Sequence, residues 1–384
     1  MGLGGIALLA VVVFVSLTQG LADVSLAAVV EAVVSPQGSA EHNLVLGSRL
    51  PRTAMGLLAG AALAVAGALM QNVTRNPLAS ETTLGVNAGA YLAVVIGTIF
   101  FPALLPRLPL LVAIVGGGLA ATAVYAMGGG RKGTPVRIAL SGMIVTLVLS
   151  SITSALMMLF EQNVQGLFLW GAGSLIQNDW SGAAFAWPWI VGGIVVVLLA
   201  SRHLDLLAFN EETARSLGQK VAGTRIFALA VAIVLACASV SVVGPIGFVG
   251  LIAPHLVRLT GITRHARLIP VAAIWGAVVL VAADTLARAF VSSFGELPAG
   301  AVTAFVGAPW LIWLALRASR KVDSGTSSAG STMRVGMLQQ RVPYAAWVVV
   351  FAALLAVVWI GSLMSGSVSF SVGEVLAALF GNGD

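Results

Sequence analysis

The chain has 384 residues, of which 59% are hydrophobic and 9% are charged. Because soluble domains carry about 25% charged residues, this composition excludes a soluble globular fold and indicates a polytopic membrane protein, with membrane lipid around it. The net charge of +6 comes from lysines and arginines scattered singly between apolar runs. They form no basic stripe with interleaved aromatic residues, so a nucleic-acid partner is excluded as well.

Ten apolar runs precede residue 318, each able to cross about 30 Å of hydrocarbon or to pack as a shorter buried helix. They lie at 3–21, 53–72, 84–101, 109–128, 136–160, 183–201, 222–243, 246–260, 268–291 and 298–317. No basic region precedes the first run and no small-residue cleavage site follows it, so we interpret it as a retained span. The predicted fold is all-α, a polytopic transmembrane helical bundle of ten spans.

A Ser/Gly-rich stretch at 319–343 predicts a flexible cytoplasmic linker, and an eleventh apolar run follows at 344–364. Residues 8–34 align with residues 354–380 without a gap, with 11 identities in 27 positions. We therefore predict a first repeat at 1–318 and the start of a second repeat, with its first helix only, at 344–384. This pattern predicts the front of a longer tandem protein.

The distribution of charge predicts the orientation of the bundle. With residue 1 in the cytoplasm, sixteen of the twenty lysines and arginines lie inside, as the positive-inside rule requires. The four outside are Arg49, Arg52, Arg107 and Arg288. Arginine is costly inside a bilayer, so Arg49 and Arg52, directly before an uncharged helix, need water or a partner.

Two cytoplasmic segments have distinctive patterns. Asn76 precedes Pro77, which disfavours helix at Asn76, so the chain is expected to leave the second span there; an ordinary helix stop is an equally open interpretation. The stretch 205–224 predicts two short amphipathic helices broken around Gly218, and a solvated loop is the alternative.

Glycines at helical spacing predict close packing between helices without indicating a particular interface. Gly56 and Gly60 form a GxxxG pair, and Gly85, Gly89 and the run 116–118 also allow backbones to approach.

Nothing in the sequence favours an enzyme. The four histidines are dispersed without HExxH spacing, Cys237 is the single cysteine, and no GxxxxGK[ST] motif is present. We therefore predict no metal site and no cofactor, and the chain cannot hydrolyse ATP by itself.

Several motifs together resemble the FecCD family, the permeases of ABC importers for iron-siderophore complexes, haem and cobalamin. They cover nearly all of residues 1–317: RLPR, GAALAVAGALMQ, RNPLA, LGVNAGA, EETARSLG, GPIGFVGLIAPHLVRLTG, ADTLAR and GELPAGAVTAFVGAPWLIWL. The tandem arrangement is similar to the fused double permeases of hydroxamate-siderophore importers. The resemblance implies a permease of the bacterial cytoplasmic (inner) membrane, working by alternating access with a second permease half, fused or separate.

The resemblance also implies roles for individual residues. Arg49, Arg52 and Arg288 would dock an extracytoplasmic substrate-binding protein; the alternative is that the first two anchor a helix end and that Arg288 pairs with Asp284. A cytoplasmic ATP-binding subunit, in two copies, would be coupled through Glu211, Glu212, Ala214, Arg215, Leu217 and Gly218. Asn76, Pro77 and Leu78 would border the inner gate. The other side of that gate, at residues 134–137, departs from the family pattern at Pro135 and Val136 and stays unassigned.

An ion-coupled secondary transporter is the rival interpretation, and it requires buried carboxylates as ion sites. The sequence offers Asp284 as the only acidic residue within a predicted span that could serve, and Arg288 follows it by one helical turn.

Overall fold

The computed structural model describes residues 2–18, 24–35, 37–130, 134–207, 218–289 and 297–322, together with residues 214 and 216. Within these residues the regular secondary structure is helical and no strand occurs. The predicted all-α fold is confirmed.

Each of the ten predicted apolar runs contains a helix. The first half of the chain contains α1 (Gly2–Thr18), α2 (Leu26–Val34), α3 (Ala40–Leu44), α4 (Leu50–Thr74), α5 (Val86–Phe100), α6 (Pro109–Met127) and α7 (Pro135–Leu159), with a π-helix at Val45–Arg49 leading into α4. The second half contains α8 (Glu161–Val164), α9 (Leu167–Gly171), α10 (Ser181–Leu199), α11 (Ser201–Leu207), α12 (Val221–Val243), α13 (Val249–Leu259), α14 (His265–Ala289) and α15 (Ala299–Val322).

The predicted count of ten spans is not confirmed. Six stretches of helix in the described part are long and apolar enough to cross a membrane: Ala40–Thr74, Pro109–Met127, Val136–Leu159, Ser181–Leu199, Val221–Val243 and His265–Ala289. Four apolar helical stretches are shorter, namely Gly2–Thr18, Val86–Phe100, Val249–Leu259 and Ala299–Ile312. At 1.5 Å per residue, the 11 residues of α13 span only about 16 Å of a core about 30 Å thick.

Helix α4 lies at the centre of the bundle. In the stretch Ala40–Thr74, which contains it, 78% of the most apolar segment is buried. It packs against α10, α12, α13 and α14. Its glycines allow these contacts, since a Cβ at Gly60 would overlap the backbone of Gly276 in α14, and one at Gly67 would overlap that of Gly250 in α13. The predicted close approach thus occurs at Gly60, whereas Gly56 faces the side chains of Val281 and Leu175.

Helix α4 ends as the sequence predicts. Arg75 adopts a left-handed conformation with a φ of 51°, and its N–H donates to the carbonyls of Gln71 and Asn72. Asn76 follows outside the helix. The last described helix, α15, continues to Val322. The rest of the predicted linker and the predicted second repeat lie outside the described residues.

Candidate functional site

Three of the four cations predicted to lie outside gather where α1 ends, α4 begins and α14 ends. Arg52 and Arg288 contact the carboxylate of Asp284, and Arg49 interacts electrostatically with Arg288; we call these four residues the arginine cluster. Arg52 Nη2 donates to Asp284 Oδ1 at 2.8 Å and its Nε lies 3.0 Å from Oδ2. Arg288 Nε lies 3.2 Å from the same Oδ2. The contact of Arg52 with Asp284 therefore joins α4 to α14, and Arg288 contacts the same carboxylate from within α14.

The cluster also holds the end of α1. Arg288 donates to Ser16 O at 2.8 Å and to Ser16 Oγ at 2.6 Å, while Arg49 donates to Leu17 O at 2.7 Å. The last carbonyls of a helix have no partner within the helix, and cations near them are favoured by the helix dipole. The two arginines thus satisfy carbonyl groups at the end of α1.

The arginine cluster is buried within this chain. Arg49 is 6% exposed, Arg52 and Arg288 are 9% exposed, and Asp284 is 2% exposed. The sequence indicated both the grouping of the arginines and the pairing of Arg288 with Asp284 one turn away. It did not indicate that Arg52, 232 residues from Asp284, shares that carboxylate. In this conformation the guanidinium groups are engaged inside the chain.

A second polar group lies at the other end of α4. Asn72 Nδ2 donates to Leu204 O at 3.0 Å and Arg75 Nη2 donates to Leu207 O at 3.3 Å, so the end of α4 holds α11. Gln71 in α4 also bonds Arg258 of α13. Opposite ends of α4 therefore carry the two polar groups that the sequence assigned to opposite sides of the membrane.

The predicted gate residues lie at the surface directly after α4. Asn76 Oδ1 accepts the N–H of Leu78 at 3.0 Å, and this bond fixes the turn around Pro77. Pro77 and Leu78 are exposed, and Asn76 is half-buried. On the other side of the predicted gate, which the sequence left unassigned, Thr134 caps α7 by accepting the N–H of Arg137.

Of the predicted coupling residues, Glu211, Glu212, Arg215 and Leu217 lie outside the described residues. Ala214 is buried and its carbonyl accepts the N–H of Gln219 at 3.0 Å. Gly218 has a φ of +80° and open space around its Cα. This backbone conformation favours glycine, and it fits the predicted break in the segment.

The start of this segment is tied to α14 by a contact that sequence reasoning missed. Asp205 Oδ1 accepts the backbone N–H of His265 at 2.8 Å and lies 2.6 Å from its Nδ1. The aspartate therefore caps the first residue of α14 from 60 positions away. No local sequence signal marks such a cap, because both partners look like ordinary polar loop residues.

Sequence reasoning also missed Glu81. The charge pattern placed residues 73–83 in a cytoplasmic loop, where water would solvate the acid, but Glu81 is 0% exposed. Asp284 is therefore not the only buried acid in the described part of the chain, although it is the only one within a predicted span. The available signal was an acid within SETT, a short hydroxyl-rich run between two apolar helices.

A cavity of about 590 Å³ lies among α5, α6 and α7. Its lining is apolar and includes Leu92, Ile96, Phe101, Leu111 and Leu149. It offers no charged group to an iron chelate. Within the described residues, no group of three or more His, Cys, Asp or Glu side chains could hold a metal ion.

The chain is similar to known transport proteins along most of its length. The sequence profile of the FecCD transport family matches residues 8–317. The Fe(3+)-citrate import system permease protein YfmD of Bacillus subtilis is 40% identical over 313 residues, which cover 80% of this chain and 93% of YfmD. The iron(3+)-hydroxamate import system permease protein FhuB of Escherichia coli is 35% identical over 268 residues, which cover 70% of this chain and 40% of FhuB.

A solved structure shares the fold. It is described as a metal-chelate type ABC transporter in an inward-facing conformation, and it superposes with a TM-score of 0.67 at 28% identity. The match covers 82% of this chain and 97% of that one.

Proposed function

The chain belongs to the FecCD transport family, and we propose that it is the permease subunit of a binding-protein-dependent ABC importer that carries a ferric siderophore or a related iron chelate. The observation that carries this proposal is its 40% identity with a ferric citrate permease, over 93% of that protein's length. Haem and cobalamin are the other chelates that the sequence resemblance allows. The exposed apolar side chains and the six candidate spans indicate a multi-pass membrane protein.

The orientation that we propose has ten membrane-crossing passes and a cytoplasmic N-terminus. Sixteen of twenty cations then lie inside. The positions of the arginine cluster and of the group around Asn72 and Arg75, at opposite ends of α4, support this assignment.

We propose that the arginine cluster is the docking site of an extracytoplasmic substrate-binding protein with acidic residues. Three cations and one carboxylate give the cluster a formal charge of +2, which attracts a negatively charged partner and fixes its register. Since Arg52 and Arg288 are bound to Asp284, a partner carboxylate must compete with Asp284 for them. Docking therefore requires a local rearrangement of the outer helix ends.

Charge reversal tests the docking proposal. The double substitution R49E/R52E is expected to weaken binding of the substrate-binding protein by about 30-fold or more, equivalent to about 2 kcal/mol, because like charges then face each other. The affinity is measured by surface plasmon resonance on purified, monodisperse permease.

R107E is the matched control, because Arg107 is predicted to lie on the same side, is exposed and is not a member of the arginine cluster. Binding of the unmodified chain should also weaken as salt is added. Equal affinities for R49E/R52E and R107E, together with salt-independent binding, would rule out docking at the cluster.

Energy must come from a separate ATPase subunit, and we propose two copies docked on the segment around Gly218. Helix α11 leads into this segment from contacts with the end of α4, so movement of an attached ATPase can reach the gate at Asn76, Pro77 and Leu78. Alternating access would follow from the relative movement of two permease halves.

Co-expression with its ATPase tests the function. The unmodified chain is expected to co-purify with the ATPase and to accumulate ferric chelate in ATP-loaded vesicles. Gly218→Leu should retain ATP hydrolysis but lose about tenfold or more of the transport, because a side chain at positive φ is strained by roughly 1–3 kcal/mol and occupies open space at the docking segment.

Gly218→Asn provides the control, since asparagine tolerates the left-handed conformation. Strongly reduced transport in both variants would point to the side chain's bulk, and normal transport in both would contradict coupling at this position. Failure of the unmodified chain to bind any ATPase would contradict the importer function itself.

The rival function as an ion-coupled transporter is not favoured. The chain matches the FecCD transport family and an import-system permease along most of its length, and Asp284, the one acidic residue within a predicted span, is already bound by two arginines.

We also propose that transport needs a second permease half, fused or separate. The repeat at 354–380 supports this, as does a match that covers only 40% of FhuB.

A further inference from the structure

The carboxyl group of Glu81 is enclosed between two segments of the chain. It is 0% exposed, and neither Oε1 nor Oε2 has a hydrogen-bond partner among the described residues. A Cβ at Gly250, in the first turn of α13, would overlap Oε2. The carboxyl group thus occupies the space that a side chain at Gly250 would fill.

Complete burial disfavours the charged form of the Glu81 carboxyl group. An ionised carboxylate without hydrogen bonds is costly in an apolar interior, so it gives up its charge by taking a proton. Glu81 lies between the candidate spans, and burial raises its pKa from 4.5 to about 7. Its own backbone N–H, which falls short of hydrogen-bonding geometry to either oxygen, has a smaller opposing effect on that pKa.

No nearby cation neutralises the carboxylate of Glu81 in place of a proton. The titratable and charged groups on Glu81's own segment and on the elements that pack beside it are Arg52, Arg75, Tyr91, Tyr125, Arg137, His255 and Arg258. Arg52 is bound to Asp284 at the opposite end of α4, and Tyr125 is exposed. Arg258 bonds Gln71, and Arg75 donates to Leu207 O. Tyr91 bonds Met157, His255 stacks edge-on against Trp310, and Arg137 is exposed. None of these groups contributes to the pKa change of Glu81.

The segment that carries Glu81 is held by contacts that can separate. Residues 75–85 are not a regular helix; they pack against α7, where Thr146 Oγ1 donates to Thr82 O, and against the segment before α13. Asn87 Nδ2 donates to Ile246 O at 3.1 Å and thereby holds the start of α5 to that segment. Separation of residues 75–85 from α13 would open the carboxyl group of Glu81 to water, because Gly250 of α13 lies directly against it.

We propose that Glu81 is a proton-binding site, neutral in the conformation described here, which releases its proton to water when residues 75–85 separate from α13. The O–H bond breaks heterolytically, the electron pair stays on the carboxylate and the proton passes to water. This inference does not depend on the transported substrate or on docking. It makes the equilibrium between the packed and separated forms depend on pH, with acid favouring the packed form.

Infrared spectroscopy of the purified full-length chain in nanodiscs tests the protonation state directly. We expect a protonated-carboxyl C=O band at about pH 6 that fades as the pH rises through about 7. The band should be absent from Glu81→Gln and present in Glu161→Gln, the control at an exposed glutamate. The same C=O band in Glu81→Gln as in the unmodified chain would overturn the proposal.

Thermal unfolding gives a second readout. Because the folded-state pKa lies above the unfolded value, the stabilisation by the bound proton is complete below about pH 4.5 and is lost as the pH rises through about 7. The unfolding temperature of the unmodified chain should therefore fall over this range more steeply than that of Glu81→Gln. Glutamine mimics the neutral acid, so a Glu81→Gln chain that cannot fold would also contradict the proposal.

Thiol labelling tests the separation itself. Ala79 is 3% exposed beside Glu81, and Cys237, the chain's single cysteine, is buried. Ala79→Cys should be alkylated several-fold faster relative to Glu81→Gln/Ala79→Cys at about pH 8.5, with little difference at about pH 5.5. A ratio that does not change with pH would show that deprotonation does not open the segment.

Discussion

Asp284→Ala is expected to lower the free energy of unfolding by about 3–5 kcal/mol, because it leaves the buried guanidinium groups of Arg52 and Arg288 without their carboxylate. The measurement is denaturant or thermal unfolding of the purified chain in detergent. Apart from substitutions at the close contacts between helices, few single substitutions should lower the free energy of unfolding by as much.

Two further variants test whether the loss of stability comes from the unpaired arginines or from any removal of an acidic side chain. Glu161→Ala, at an exposed acid, should leave the unfolding midpoint unchanged. Replacing Arg52 and Arg288 by methionine and Asp284 by leucine removes all three charges together, and it should recover most of the stability, because a buried ion network is often replaceable by apolar side chains. A triple variant no more stable than Asp284→Ala would contradict the account.

The arginine cluster shows how far sequence reasoning reached at the outer end. Charge counting and the motif resemblance together selected Arg49, Arg52 and Arg288, and helical spacing indicated the contact between Asp284 and Arg288. The contact between Asp284 and Arg52 depends on the crossing of α4 and α14, and no local pattern carries that information. The same holds for Asp205 and His265, which meet across 60 positions.

Glu81 was missed for a different reason. Hydropathy and charge assign a short polar stretch between two apolar helices to water, and this assignment is usually correct. Here residues 79–81 fold back against the start of α13, where the glycine at position 250 leaves room for a carboxyl group. Burial of a polar residue in a connecting segment is decided by tertiary packing, which periodicity does not report.

The short helices explain why the number of spans could not be obtained from hydropathy alone. The apolar runs were located correctly, but apolarity marks a buried helix as readily as a spanning one. Seven of the 11 residues of α13 are buried, and the helix packs against α4 and α14, so it needs no lipid contact to be apolar. Whether such a helix crosses the membrane or is buried inside the bundle depends on the helices that pack against it, and its composition does not reveal this.

Gly116→Ala is expected to destabilise the chain by about 1–3 kcal/mol, because the new methyl group would overlap the carbonyl oxygen of Gly89 and the side chain of Ala93 across the crossing of α5 and α6. The unfolding midpoint in detergent measures the effect. The shift should be larger for valine at the same position, since the backbone of α5 cannot move aside without disturbing its contacts with α7 and α12.

Gly118→Ala, two residues further along the same helix, is the matched control. Nothing lies within 4 Å of a Cβ at Gly118, so alanine there should be neutral or should stabilise α6 by up to about 1 kcal/mol through its higher helix propensity. The sequence presents three consecutive glycines at 116–118 and cannot distinguish them, whereas the crossing of α5 and α6 does. Equal effects of the two substitutions would mean that α5 and α6 do not cross at Gly89 and Gly116.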